Sequence, residues 1–204
     1  MPLPHARIHT VRSAAMIVAL FPILMMSGCW TFSIQPLFDG ASDPDLIFDQ
    51  SLVGSWGRVV DGCNLTLTIQ ANARAYDMTL APGQGCKDDE NKTTHYLAYL
   101  VKLDTHRYLD ISPKQTDVCD LCFPAHTFAQ LSLENNTFSV TPLDGDWLDK
   151  EIKEKKIVLT HVGGDGEVDI TLNALPAEMK AFLRKYAEDA DAFKASQRSV
   201  FTRK

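Results

Sequence analysis

Five cysteines carry most of the reactive chemistry in this chain: Cys29, Cys63, Cys86, Cys119 and Cys122. Cys29 stands apart, because it directly follows an apolar run in Met26-Ser27-Gly28-Cys29. The other four are an even set, which fits two disulfides, and four cysteines allow three connectivities. Cys63 lies in the turn Asp61-Gly62-Cys63-Asn64, and Cys86 follows Pro82-Gly83-Gln84-Gly85. Both are loop positions at neighbouring strand ends, which favours Cys63–Cys86 with Cys119–Cys122. The spacing Cys119-Asp120-Leu121-Cys122 also suits a redox dithiol or half of a zinc site. A redox pair needs its first cysteine at a helix start within a βαβ unit, whereas Pro124 follows closely here and strand patterns flank the motif. Zinc takes four ligands, usually as two close pairs, and only one close pair is present, with His126 nearby. Structural disulfides are therefore the reading, with no metal and no cofactor expected.

The remaining polar groups form no catalytic constellation. His126 and His161 sit in strand-like segments that are able to face one another, and satisfied structural histidines are the ordinary outcome there. Asp88-Asp89-Glu90 and the pair Asp117 and Asp120 lie in loops, where solvated carboxylates are the default. No serine has the strand–turn–helix setting that a hydrolase nucleophile requires. Gly163-Gly164-Asp165-Gly166 has the composition of a phosphate loop, but no helix follows to hold the phosphate, so a β-turn is expected. An enzyme is not expected.

The elements that position these groups are mostly strands. From residue 52 the apolar period is two: Leu65, Leu67 and Ile69 alternate with Thr66, Thr68 and Gln70, and Tyr76, Met78 and Leu80 repeat the pattern. Residues 94–103 are apolar on both faces, Leu109 and Ile111 follow a short turn, and 126–133 and 137–143 flank the hairpin signal Glu134-Asn135-Asn136. Ile157, Leu159 and His161, then Val168, Ile170 and Leu172, together with Leu52–Val60, complete nine expected strands. Short connections between so many strands argue for an antiparallel meander closed into a barrel, since closure removes exposed edges. Two helices interrupt it. One spans 145–154 around Trp147 and Leu148. The other opens at Pro176 and carries Met179, Phe182, Leu183 and Tyr186 on one face. Its opposite face carries Glu178, Lys180, Arg184, Lys185 and Glu188. The expected fold is thus an all-β antiparallel barrel of eight or nine strands with a C-terminal α-helix packed on its outside. Residues 29–50 read as a tether whose short apolar stretch Leu46-Ile47-Phe48 packs on the fold, 51–194 as the barrel domain, and 195–204 as a frayed polar tail.

Composition is that of a globular protein: 45% hydrophobic and 23% charged over 204 residues. Residues 1–28 open with Arg7 and Arg12 and no acid, continue with an apolar run from Ala14 to Met26, and end in small residues. This is the pattern of a secretory signal. Thirteen apolar residues interrupted by Pro22 fall short of the roughly 20 that a membrane-spanning helix needs. Losing the signal takes the formal charge from −6 to −8. A chain this acidic, without a basic stripe, is not a nucleic-acid binder, and anionic membrane surfaces repel it.

Met26-Ser27-Gly28-Cys29 resembles the bacterial lipobox, with Met26 standing where Leu or Val is usual. The resemblance implies diacylglyceryl transfer to the Cys29 sulfur, cleavage between Gly28 and Cys29, and acylation of the new amino group. It therefore implies attachment to a membrane through lipid. Trp30 follows the cysteine where inner-membrane lipoproteins carry Asp, which implies an outer-membrane location facing the periplasm or the cell surface. Gly54-Ser55-Trp56 resembles the Gly-x-Trp triplet at the start of the first strand of lipocalin-like proteins, where the Trp packs across the closed barrel end. The order of tether, triplet, meander and late helix is similar to that of uncharacterised bacterial lipoproteins with a lipocalin-like barrel. That resemblance implies a fold and a small apolar ligand in the barrel, or else a filled barrel serving envelope assembly. It implies no activity.

Overall fold

The computed structural model describes residues 31–87, 92–114, 125–163 and 170–204. Residues 1–30 lie outside these, and with them Gly28 and Cys29. So do Cys119, Cys122, the Asp88-Asp89-Glu90 run and most of the Gly163–Gly166 turn.

Eight antiparallel strands close into a barrel: β3 (Gly54–Val60), β4 (Cys63–Asn72), β5 (Ala75–Pro82), β6 (Thr94–Leu103), β7 (His106–Pro113), β8 (Thr127–Glu134), β9 (Thr137–Pro142) and β12 (Ser199–Arg203). Short strand β2 (Leu46–Ile47) pairs with β6 beyond the point where β5 ends. Strands β1 (Phe32–Ser33), β10 (His161–Val162) and β11 (Thr171–Leu172) form a separate three-stranded patch. Helices α1 (Gly145–Lys153) and α2 (Pro176–Lys185) complete the fold.

Four of the hairpins turn through two residues, between Val60 and Cys63, Asn72 and Ala75, Leu103 and His106, and Glu134 and Thr137. In each the first turn residue (Asp61, Ala73, Asp104 or Asn135) has positive φ, the backbone twist that matches right-handed strand twist in a tight hairpin. Such turns fix register, and register fixes which side chains face inward. The inward set of Trp56, Leu65, Leu67, Ile69, Tyr76, Met78, Ala98, Leu100, Leu109, Ile111, Phe138 and Phe201 makes one core.

A second core lies on the outside. The outward residues Val101, Leu103, Tyr108 and Phe128 of β6, β7 and β8 pack against Leu148 of α1 and Met179, Phe182 and Leu183 of α2. This explains why residues 94–103 are apolar on both faces. The carboxylate of Asp144 caps α1 by accepting the Trp147 N–H at 2.7 Å. Pro176 opens α2 at a position that needs no N–H, and Arg184 and Lys185 close it.

Four expectations are corrected. The tail is not frayed: Ser199–Arg203 is the strand that closes the barrel, pairing with β9 on one side and β3 on the other. The segment around Ile157–His161 and the described residues 170–172 of the Val168–Leu172 segment are not barrel strands. They contribute only β10 and β11, each two residues long, while Ile157 and Leu159 bury in the outer core. Residues 31–49 are not a free tether. They descend the outer wall of the barrel from Ser33, bridged to His126, through the buried Leu37, to β2 on β6. Lys180 is likewise not on a solvated helix face. It is buried against this segment, with its ammonium 2.7 and 2.8 Å from the two Asp43 oxygens and 2.7 Å from Asp45. These contacts link residues more than 130 positions apart, which local periodicity does not register.

Candidate binding site at the open end of the barrel

The two barrel ends differ. Tight turns Ala73-Arg74, Asp104-Thr105 and Asn135-Asn136 surround one end, where a 3-10 turn, Gln50–Leu52, and Trp56 form the floor. The Trp56 indole is fully buried, donates its N–H to the Leu52 carbonyl at 2.9 Å, and meets Phe138 edge-on at 4.8 Å. Phe201 stacks on Phe138 at 4.9 Å. Asp49 braces the floor by pairing with Arg107 at 3.2 Å. The Ser51 hydroxyl and N–H, together with Arg107, hold the Asp49 carboxyl below its usual pKa against the effect of burial.

The opposite end carries the longer connections, after Pro82 and Pro113, and the excursion from Pro142 to Ser199 that contains both helices. Here the Cys63–Cys86 disulfide ties the β3–β4 hairpin tip to the segment following β5. Gly85 makes that approach possible: its φ is +84°, and a Cβ there would lie 2.2 Å from the Gly62 carbonyl oxygen. Inside this end polar side chains join apolar ones such as Leu65, Leu80 and Ile111. Thr94, Tyr96, Thr127 and Ser199 share the inward phase with their core neighbours.

Arg58 joins them, placed by the alternation Trp56, Arg58, Val60 along β3. Its guanidinium donates to the Ser199 hydroxyl and lies over the Phe201 ring at 5.8 Å. Among the described residues no carboxylate lies within ion-pair distance of it. Burial pulls its pKa below the usual arginine value. The sequence reading missed Arg58. Its signal was an arginine on the same strand phase as Trp56 and Val60, a phase that otherwise faces the core.

The other expected residues take structural partners. Buried Asp110 accepts the Leu37 N–H at 2.6 Å, and its second oxygen lies 2.6 Å from Nδ1 of His126. His161 is exposed and hydrogen-bonds the Leu159 carbonyl at 2.7 Å. The two histidines thus serve different contacts. Among the described residues no group of three His, Cys, Asp or Glu side chains is placed to hold a metal ion, and no helix is long and apolar enough to cross a membrane. Searches against protein-family models, curated proteins and solved structures find no match for this chain.

Proposed function

We propose that this chain is a lipid-anchored cell-envelope protein of lipocalin-like architecture that binds a small apolar or amphiphilic molecule at the open end of its barrel. One observation carries the reading. Thr31 donates its hydroxyl to the Leu143 carbonyl at 3.5 Å, and Ser33 bridges to His126, so the N-terminal segment docks at the open rim. Thr31 lies two positions after Cys29, a reach of about 7 Å for extended chain. Lipid on Cys29 would therefore hold the open end toward the bilayer, where apolar ligands are stored. Several acyl chains, at about 0.8 kcal/mol per buried methylene, suffice to anchor an acidic domain that has no charge attraction for the membrane. Outer-membrane placement follows from Trp30 after the cysteine.

A second reading, an envelope-assembly protein with a filled barrel, draws on a different observation. Trp56, Ala98, Leu100, Phe138 and Phe201 are each at most 1% exposed, so side chains occupy the closed half of the barrel. The experiment has two arms. Mass analysis of the mature N-terminus is expected to give a lipid-modified chain beginning at Cys29, and Cys29→Ser is expected to leave the membrane fraction. A Cys29→Ser protein that stays membrane-bound would overturn the anchor. Organic extraction of the purified protein is expected to release a small apolar molecule. A protein free of small molecules but bound to a stable protein partner favours the assembly reading.

A further inference from the structure

The barrel sorts charge by face. Its strands contain three carboxylates (Asp77, Asp110 and Glu134), and all three fall on outward positions. They contain four Lys or Arg residues (Arg58, Lys102, Arg107 and Arg203), and all four fall on the inward phase. In a chain of net charge −6, this places the positive charge of the barrel strands inside or at their rims.

Three of the four belong to the closed end and have no free role. Arg107 pairs with Asp49, Arg203 donates to the Ser51 and Val53 carbonyls, and Lys102 is exposed beyond the floor. Of the four, Arg58 alone lies at the opposite end, beside Ser199. A guanidinium carries five N–H donors in a planar fork, and among the described residues the Arg58 fork meets one hydroxyl and one aromatic face. Removing a cation from water without an opposing charge is costly, and an entering anion would offset that cost. The fork matches a carboxylate or phosphate through two parallel hydrogen bonds. Half-buried Val60 and Cys86 give the same end an apolar wall.

We propose that Arg58, supported by Ser199, makes the open end of the barrel an oxyanion site, a receptor for the carboxylate or phosphate group of its ligand. The proposal rests on the binding reading above and adds the ligand's chemistry. An amphiphile would place its head on Arg58 and its tail along Val60 and the disulfide, while a free anion would use the head contacts alone.

Calorimetric titration of the purified full chain with octanoate, octanol, acetate and inorganic phosphate tests it. Octanoate is expected to bind at least ten-fold more tightly than octanol, and Arg58→Gln is expected to remove that preference. Arg58→Lys, which keeps the charge but loses the fork, is expected to fall between. Acetate or phosphate binding as tightly as octanoate would support a free oxyanion as the source. Octanoate binding lost in step with added salt supports the proposal without any variant, should Arg58→Gln fail to fold. Equal binding of octanoate and octanol overturns the oxyanion site and leaves the binding reading intact. Binding of none of the four compounds overturns both.

Discussion

Arg203 and Trp56 are register partners across the seam that closes the barrel, and the Arg203 guanidinium carbon lies 4.2 Å from the centre of the indole. Arg203 thus lids the floor of the barrel. Trp56→Ala is expected to cost about 3–5 kcal/mol by emptying a buried site. Arg203→Ala, at the exposed end of the same contact, is expected to cost about 1 kcal/mol. Urea denaturation followed by tryptophan fluorescence measures both. Deleting residues 199–204 leaves β3 and β9 as open edges, and the cooperative transition is expected to be lost.

Lys180 and Asp43 fasten the N-terminal segment to α2. Replacing Lys180 by Met leaves a buried carboxylate without its cation, a loss of about 3 kcal/mol. The backbone N–H groups of Asp39 and Asp45 still hold that carboxylate, at 2.7 and 2.9 Å. Hydrogen exchange in residues 39–47 is expected to accelerate more than in the barrel strands, because the segment detaches before the barrel opens.

Acid is expected to destabilise the fold through the same contact. Burial raises the pKa of Asp43, but the Lys180 ammonium and the two backbone N–H groups outweigh it and hold the carboxyl below its ordinary value. The Ser51 contacts do the same for Asp49, and the Lys114 ammonium for Asp77. A carboxylate with a lowered folded pKa stabilises the fold above its unfolded value of about 4 and loses that contribution as pH falls through the folded value. Stability should therefore hold flat near neutrality and drop below about pH 4. Lys180→Met should shift the drop, as read from melting temperature against pH.

The disulfide Cys63–Cys86 closes a loop of 23 residues, and replacing both cysteines by serine is expected to cost about 3 kcal/mol. Gly85→Ala should destabilise the same corner, since the new methyl meets the Gly62 carbonyl and the backbone lies at positive φ. Thermal melting of each variant, with and without reductant, separates the two: reductant should affect Gly85→Ala and leave the double serine variant unmoved at this bridge.

Seven of the eight barrel strands were legible in the sequence, because residues such as Leu65, Leu67 and Ile69 announce a buried face by alternation alone. The turns, the Pro176 helix start and the Cys63–Cys86 pairing were legible for the same local reasons. The eighth strand was not. Val200, Phe201 and Thr202 are flanked by charge, and their strand exists only because β3 and β9 offer it two open edges. The outer wall segment 31–49 was hidden likewise, since Leu37 and Asp43 find partners on β7 and α2 across long stretches of chain. Arg58 lies between these cases. Alternation along β3 places it on the inward phase, but only closure of the barrel brings it beside Ser199 and Phe201. Local periodicity determines which face of a strand is apolar; tertiary closure determines what that face encloses, because enclosure needs partners from both ends of the chain at once.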